Sequence, residues 1–491
     1  MQHLLIACLT LTMLAAVARA DTPALDALPL KDAVEQGGII WHFDEPARVG
    51  QFVNGDYYVV GPVTVTAIDP APRDGLNGAV KNLSPQPHNR SGFDHRTQSN
   101  RYEASLRSEL PITLEPGDSL MSSISADEDM LRSGERAMTR LLNMRERHAS
   151  RVWSYAMLTC LAEPVPADTF RPGYADRQHR LYRASDLQTW RLHNLAHVEP
   201  TPDIDAWADA FRQPWLDIVF FHFDSAVAYQ PHYARENARA EAFATLLLNL
   251  DFPEEKKRPL LINFVQHGID LWSIVRDGEH RGWHANGGHG SGRKWAIVFA
   301  GLMLGNEAMA SPSVTNPEIR FGQDMQTMYD KAWTGADVVY AGHRGVWQGE
   351  PVADNPAQQP YEHLHPSQWH TETYHYHWLD EPTTHYVGER YRRSINSKAW
   401  VGMALAGRIM RAEEAYAHDA FFDYVDRWMT EDDEPLRDAI MQAIDTDATA
   451  HDYRDRQYHA GQAHDPFIEA MWHAYRDNLP AHPQRDGDAH E

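Results

Sequence analysis

Hydrophobic positions change their spacing once along the chain, from alternation near the N-terminus to helical periodicity over the rest. Between residues 38 and 125, runs of β-branched and aromatic residues are bounded by turn dipeptides such as Asn-Gly and Gly-Pro, which is typical of short strands. From about residue 128 onward, apolar residues recur three and four positions apart, as they do on one face of a helix. We therefore predict a small N-terminal sheet followed by a large helical region.

The helical region contains several segments with this spacing. They are residues 205–211, 236–250, 260–275, 295–304, 325–333, 398–411 and 415–429. Residues 296–304 are apolar on every face, which is typical of a helix buried on all sides. This pattern fits an (α/α)n toroid of helical hairpins, in which inner helices are buried and loops at one end form a cleft; a plain helical bundle is the alternative. The expected fold class is mainly α, with a small N-terminal β-rich module.

The first residues have the pattern of a secretory signal peptide. Residues 4–17 are apolar but too few to span a bilayer, and Ala18-Arg19-Ala20 is a small-x-small cleavage site. We predict cleavage near Ala20 and a periplasmic or secreted location, with no membrane span later in the chain. The predicted domains are a signal peptide (1–20), a β-rich module (21–125), a catalytic helical domain (126–478) and a disordered tail (479–491).

Charge and cysteine content narrow the functional classes. The formal net charge is −24, which argues against nucleic acid as a partner because phosphate contacts need a cationic surface. A local cleft can still be basic inside an acidic protein. After signal cleavage Cys160 is the remaining cysteine, so we expect neither a disulfide within the chain nor a cysteine-based metal site. No cofactor is predicted.

Residues 283–295, Trp-His-Ala-Asn-Gly-Gly-His-Gly-Ser-Gly-Arg-Lys-Trp, form the most informative polar stretch. Its four glycines allow the backbone to approach a ligand closely, and polar side chains of several chemical types surround them. The spacing fits neither a P-loop, which needs Lys followed by Ser or Thr after the last glycine, nor a dinucleotide fingerprint. We predict that this loop presents His289, with Asn286 and Arg293, to a cleft at the start of a buried helix.

Further polar clusters lie at predicted helix ends and in the loops between them. They are Arg235-Glu236-Asn237, Tyr340-Ala341-Gly342-His343-Arg344, Tyr374-His375-Tyr376-His377 and Glu389-Arg390-Tyr391-Arg392-Arg393. A tyrosine can act as general base or acid where nearby cations lower its pKa. The His-rich residues 363–385 raise the alternative of a zinc site, but their spacing matches no chelating signature, and no metal is predicted.

Together these residue types suit β-elimination on a uronic acid polysaccharide. Asn and Arg side chains would neutralise the C6 carboxylate, so that the C5 proton becomes acidic and the enolate-like intermediate is stabilised. A His or Tyr side chain would remove that proton, and a Tyr would donate one to the leaving glycosidic oxygen. Isolated pairs of carboxylic acids, which glycoside hydrolysis needs, are less conspicuous in the sequence.

Residues 235–240, 286–294 and 391–393 resemble exported bacterial α/α-toroid polysaccharide lyases, in particular polysaccharide lyase family 38, whose members cleave alginate or glucuronan. The resemblance implies Asn237 as the carboxylate neutraliser, His289 and Tyr340 as the proton-transfer pair, and Arg344 as a supporting cation. The remaining predicted substrate contacts are Asn286, Arg293, Arg235, Tyr374, His375 and Arg392. The partner that this resemblance implies is an acidic polysaccharide.

Two other functions remain open from the residues alone. An α/α-toroid glycoside hydrolase would need a carboxylic acid, which Glu236, Glu372 or Glu389 could supply. A non-catalytic glycan-binding protein would use aromatic side chains as platforms for sugar rings.

Overall fold

The computed structural model describes most of the chain. The described residues are 20–84, 90–97, 102–133, 137–143, 151–217, 225–277, 280–351, 360–369, 374–375, 382–383, 385–446 and 459–481. Nearly all of the predicted signal peptide, residues 1–19, lies outside this part of the chain, as do residues 482–491 of the predicted tail. Within the described residues, no helix has the length and apolar character needed to cross a membrane.

An eight-stranded mixed sheet forms the N-terminal part of the protein. Its strands are β1 (Leu30–Gln36), β2 (Ile39–Gln51), β3 (Tyr57–Val60), β4 (Val63–Asp69), β5 (Ala79–Lys81), β6 (Ile112–Leu114), β7 (Ser119–Ser125) and β8 (Val152–Leu161). The order is β5-β7-β8-β3-β2-β4-β6, with β1 paired to β2; β3 is parallel to β8. Alternate residues of β2, namely Ile39, Trp41 and Phe43, are buried, so one face of this strand packs on an apolar core.

Helices and short strands follow the sheet. The helices are α1 (Glu128–Ser133), α2 (Ala137–Leu141), α3 (Ile204–Ala210), α4 (Ala234–Leu248), α5 (Glu254–Val275), α6 (Lys294–Leu304), α7 (Glu307–Ala310), α8 (Pro312–Thr315), α9 (Gly322–Gln326), α10 (His385–Tyr391), α11 (Ser397–Ile409), α12 (Glu413–Tyr416), α13 (Asp419–Thr430), α14 (Glu434–Thr446) and α15 (Pro466–Tyr475). Short 3-10 helices occupy Leu25–Ala27, Ala104–Leu106, Ala184–Asp186, Thr189–Arg191 and Pro366–Gln368, and a π-helical turn, Arg392–Asn396, joins α10 to α11.

The short strands form two-stranded sheets between the helices. The pairs are β9 (Gly282–Trp283) with β10 (Arg320–Phe321), β11 (Thr327–Tyr329) with β12 (Val338–Tyr340), β13 (Val346–Trp347) with β14 (Glu350–Pro351), and β15 (Tyr374–His375) with β16 (Pro382–Thr383). The pair β9–β10 is parallel. These pairs hold the polar loops that follow β9 and β12 close to the helices.

Helices α4, α5, α6 and α11 lie at the centre of the helical region, where α5 packs on α6 and α11 packs on α4. Every residue of α4 from Glu236 to Leu248 is buried, and α6 is buried from Lys294 to Gly301. The predicted burial of residues 296–304 on all sides is confirmed as far as Gly301, whereas Leu302 and Leu304 are partly exposed. Near the N-terminal ends of α4 and α6, the polar residues Glu236, Asn237 and Lys294 are therefore held inside the protein.

The predicted fold class, a mainly α toroid with a small β-rich module, is wrong. About 38% of the residues are helical, and the N-terminal sheet is large and mixed. Sequence patterning missed β8 because this strand is buried along nearly its whole length, and such a strand is a continuous apolar run without alternation. The predicted boundary at residue 125 consequently falls inside the sheet. The predicted helix at 325–333 is also wrong, since α9 ends at Gln326 and β11 follows.

A buried arginine joins the sheet to the helical region. Arg171 Nε donates to Asp56, in the turn between β2 and β3, at 2.6 Å. Its Nη1 and Nη2 donate to the Asp270 carboxylate on α5 at 3.0 and 2.6 Å. All three side chains are buried. Burial raises the pKa of Asp56, and the Arg171 charge opposes that rise.

The variant Arg171→Met would leave Asp56 and Asp270 buried without their counter-charge. We expect a loss of about 3–5 kcal/mol in the free energy of unfolding, the usual cost of breaking a buried pair, measured by urea denaturation. Arg90→Met is the control, because the Arg90–Glu103 pair is largely exposed and such pairs contribute about 1 kcal/mol or less. Equal losses in the two variants would contradict a joining role for Arg171.

Candidate functional site

Arg293 holds the polar loop, residues 284–293, from inside the protein. Its Nε and Nη2 donate to the Asp217 carboxylate at 2.5 and 2.9 Å. Its Nη1 donates to the carbonyls of His289 and Ser291 at 2.7 and 2.8 Å. The side chain is fully buried. Because these protein groups bind the guanidinium, Arg293 stabilises the loop. Its predicted role as a substrate contact is corrected.

The backbone at Arg293 is strained. Its φ of 65° and ψ of −54°, with a 2.8 Å hydrogen bond from the Lys294 N–H to the Gly292 carbonyl, form a γ-turn of the rare hand. The Arg293 N–H donates to Glu241 Oε1 at 2.7 Å, which ties the turn to α4. Strained backbone persists where the surrounding structure enforces it, and such positions cluster at functional sites. The loop therefore enters α6 in an enforced conformation.

Two glycines allow the loop to pass between aromatic side chains. Gly287 has a φ of 57°, and a Cβ there would lie 2.3 Å from the Tyr391 ring. A Cβ at Gly288 would lie 2.6 Å from Ile395 Cγ2 and 2.8 Å from the Tyr233 hydroxyl. The Gly288 N–H donates to that hydroxyl at 3.0 Å. Glycine is therefore required at both positions for the loop to contact Tyr233 and Tyr391.

His289 lies beside these phenols and is partly exposed. Its ring meets Tyr233 edge to face, with centroids 4.6 Å apart. His343 packs on Tyr391 with centroids 4.2 Å apart, and its carbonyl accepts the Gly287 N–H at 2.9 Å. Two imidazoles and two phenols thus converge on Gly287 and Gly288. We call His289, His343, Tyr233 and Tyr391 the His/Tyr cluster.

Tyr340 lies behind the His/Tyr cluster and is fully buried. Its hydroxyl accepts from Asn396 Nδ2 at 2.9 Å and from Gln326 Nε2 at 3.1 Å. The same two amides donate to the Gly287 carbonyl at 3.3 and 3.0 Å. Burial raises the pKa of Tyr340 well above its ordinary value. The structure brings Tyr340 close to the loop, as predicted, but as an internal support of Gly287 rather than a group that faces solvent.

Positive charge surrounds the His/Tyr cluster. Burial lowers the pKa of His284 to about 4, and the charges of Arg344 and Arg320 contribute to this. Burial, with the Arg344 charge, also holds the pKa of His343 well below its usual range. Burial raises the pKa of Tyr391, and the Arg344 charge opposes that rise. At neutral pH His284 and His343 are therefore uncharged and the Tyr391 phenol is protonated.

Two of the carboxylates near the loop, those of Glu236 and Glu389, form ion pairs with arginines. Glu236 Oε1 accepts from Arg235 at 2.6 Å. Burial would raise the pKa of Glu389, but the charges of Arg392 and Arg393 hold it well below its usual range. The predicted substrate contact Arg392 is itself fully buried. Its partners are Glu389, Glu362, Glu431 and the Tyr424 hydroxyl. Arg392 therefore belongs to an internal ion-pair network, and its predicted contact with substrate is corrected.

The other predicted site residues differ in how far they are exposed to solvent. Asn237 is 1% exposed, and its Oδ1 has no hydrogen-bond partner among the described residues. Asn286 is buried in the loop, where its carbonyl accepts the His289 N–H at 3.0 Å. Arg235 is partly exposed, with its guanidinium 5.5 Å from the centre of the Tyr233 ring. The side chains of Tyr374 and His375, like the whole of residue 372, lie outside the described part of the structure.

A metal site is not evident in the described part of the chain, where no three His, Cys, Asp or Glu side chains are placed to hold an ion. Much of the His-rich segment 363–385, which raised the zinc alternative, lies outside the described residues.

Sequence reasoning missed several residues that surround the loop. Tyr233 lies two positions before Arg235, the first residue of the Arg-Glu-Asn segment that was singled out, while His343 and Tyr391 lie inside quoted clusters without having been chosen. His284 and Arg320 were not considered together, because 36 positions separate them in the chain; the parallel pairing of β9 with β10 brings their segments together. Their proximity depends on tertiary contacts, which the spacing of residues along the sequence does not reveal.

Comparisons with models of protein families, with curated proteins and with solved structures gave no match. The resemblance to polysaccharide lyases therefore stays a prediction from the residues.

The depressed pKa of His284 predicts a loss of stability in acid. Its pKa is about 4 in the folded protein and 6.5 ordinarily, so between these values the unfolded chain binds more protons and stability falls as pH falls. Above pH 6.5 His284 is neutral in both the folded and the unfolded state, so it no longer makes stability depend on pH. The variant His284→Asn should lose less stability than the wild type between pH 6.5 and pH 4, measured by urea denaturation across that range.

The exposed His473 offers the matched control, His473→Asn. Its stability should follow the wild-type pH dependence. Parallel curves for His284→Asn and the wild type would show that His284 is not buried as a neutral imidazole.

Proposed function

We propose that this protein is an exported polysaccharide lyase that cleaves a uronic-acid-containing polysaccharide, alginate-like or glucuronan-like, by β-elimination. The observation that carries the proposal is the His/Tyr cluster beside Arg344, in which imidazoles and protonated phenols share a locally positive environment. Proton abstraction next to a carboxylate needs these groups: a base, a proton donor and a cation that stabilises developing negative charge.

The local charge favours an anionic substrate. The protein as a whole carries a net charge of −24, yet the charges of Arg344 and Arg320 reach His284 at the loop. A positive cleft inside an acidic protein concentrates an anionic ligand at that cleft while the rest of the surface repels it. This arrangement suits a polymer whose sugar units each carry a carboxylate.

In the proposed reaction Arg344 neutralises the substrate carboxylate. His289, the partly exposed imidazole, accepts the proton from C5, and the released electron pair forms the C4=C5 double bond as the C4–O bond breaks. Tyr391 donates its proton to the leaving oxygen. Burial keeps its phenol protonated, as an acid requires. We assign neutralisation to Arg344 instead of Asn237 because Asn237 is 1% exposed.

Two other functions are less well supported. A hydrolase needs a carboxylic acid able to hold a proton near neutral pH. Of the acids considered for that role, Glu236 and Glu389 are fully buried and bound to arginines. A non-catalytic glycan-binding protein would need neither a base nor a proton donor at the loop. It would bind the polymer and release no product.

Activity on alginate and glucuronan tests the proposal. The wild type should produce ultraviolet-absorbing unsaturated oligosaccharides, each lighter by one water than the hydrolysis product. His289→Ala should lower kcat by about 10²–10⁴-fold, the usual contribution of a general base, while the exposed control His473→Ala should match the wild type. Saturated products would indicate a hydrolase, binding without products would indicate a glycan-binding protein, and either outcome would contradict the lyase proposal.

The assignment of Tyr391 as proton donor is tested separately. Tyr391→Phe keeps the ring that packs on His343 and removes the hydroxyl, so kcat should fall about 10²-fold or more with KM changed little. The exposed Tyr329 supplies the control Tyr329→Phe. A variant Tyr391→Phe with the wild-type kcat would assign the acid to another group, with Tyr233 as the next residue to test.

A further inference from the structure

Arg320 lies at the edge of the candidate site without a role in the reaction proposed above. It is the first residue of β10 and pairs with Gly282 of β9, which places it next to the loop that begins at His284. Its guanidinium carbon lies 5.2 Å from the centre of the Trp347 ring, and both side chains are partly exposed. The guanidinium is thus held against an indole at the border between protein and solvent.

The Nε of Arg320 is buried and has no hydrogen-bond partner among the described residues. Arg408 and Arg427 also have an unpartnered Nε, but their Nη atoms form ion pairs. No described carboxylate forms an ion pair with Arg320, which distinguishes it from these two.

The positive charge of Arg320 adjoins that of Arg344, which acts on the His/Tyr cluster. Its charge and that of Arg344 both act on His284, and Arg344 also acts on His343 and Tyr391. Positive charge therefore extends from the His/Tyr cluster through Arg344 to Arg320. A polymer with a carboxylate on each sugar unit, bound at Arg344, would present a second carboxylate along this line.

We propose that Arg320, whose guanidinium lies beside Trp347, is a subsite for the carboxylate of a sugar unit next to the one that is cleaved. A guanidinium binds a carboxylate through two parallel N–H bonds, and no described carboxylate forms an ion pair with this one. Trp347 limits the rotation of the guanidinium, so the bound geometry is largely formed in advance. The substrate class in this inference rests on the proposed function, whereas the anion subsite rests on Arg320 itself.

Kinetics of Arg320→Gln test the subsite. Removing a substrate contact away from the reacting atoms should raise KM about tenfold or more, equivalent to about 1.4 kcal/mol, with kcat within about twofold. Arg320→Lys keeps the charge and loses the paired donors, so its KM should lie closer to that of Arg320→Gln than to the wild type. Thermal unfolding of both variants should match the wild type, because Arg320 is not part of an internal ion pair.

Arg281→Gln is the matched control. Arg281 is exposed, and its carbonyl accepts the Arg320 N–H at 2.8 Å, so this variant removes one positive charge at nearly the same place. Its KM should stay within about twofold of the wild type, because exposed charges are screened by salt. Equal KM values for Arg281→Gln and Arg320→Gln would overturn the subsite.

Calorimetry separates this inference from the proposed function. Binding of an oligouronate, of its carboxyl-reduced neutral counterpart and of a sulfated oligosaccharide would be measured with Arg320 present and with Arg320→Gln. Weaker oligouronate binding in Arg320→Gln supports the subsite even if the wild type cleaves no polymer, in which case only the lyase proposal fails. Two outcomes would overturn the carboxylate assignment. In the first, Arg320→Gln weakens binding of the neutral compound as much as it weakens binding of the oligouronate. In the second, the sulfated compound binds the wild type as tightly as the oligouronate does, and Arg320→Gln weakens its binding equally.

Discussion

The buried guanidinium of Arg293 is the constraint on which the candidate site depends. A cation removed from water is stable only when its charge and donors are satisfied, and Arg293 meets this condition by binding Asp217 and two loop carbonyls. Its own N–H is held by Glu241, which enforces the strained turn at the start of α6. With this end of the loop fixed, the two glycines before it pass between Tyr233 and Tyr391.

The pairing of charged side chains differs between the interior of the helical region and the loop. Many carboxylates in the interior are bound to arginine or lysine side chains, as Glu389 is to Arg392 and Arg393. Such pairs keep acids ionised and remove them from proton transfer. Near the loop, by contrast, Arg320 and Arg344 act on imidazoles that burial keeps neutral. The proposed elimination on an anionic sugar rests on this local positive charge inside an acidic protein.

The sequence predicted elements whose pattern depends on neighbouring residues, and it missed elements that depend on contacts between distant segments. The helices α4, α6 and α11 follow the predicted segments to within about two residues, and α5 begins six residues before its own, because apolar periodicity depends on neighbours three and four positions apart. The strand β8 was missed because a strand buried on both faces lacks alternation. This strand joins β7 to β3 at the centre of the sheet, and missing it contributed to the error in fold class.

The amino-acid sequence by itself determined that a glycine-rich loop carrying His289 enters a buried helix, because composition and apolar runs are local properties. Only the tertiary structure decided which of the neighbouring polar residues face this loop and which stabilise the interior. Arg293 and Arg392 looked equivalent to Arg344 as charged residues of a polar cluster, yet both are fully buried and bound to carboxylates. Burial and pairing depend on segments distant in the chain, so the role of an arginine is set by its partners rather than by its sequence neighbours.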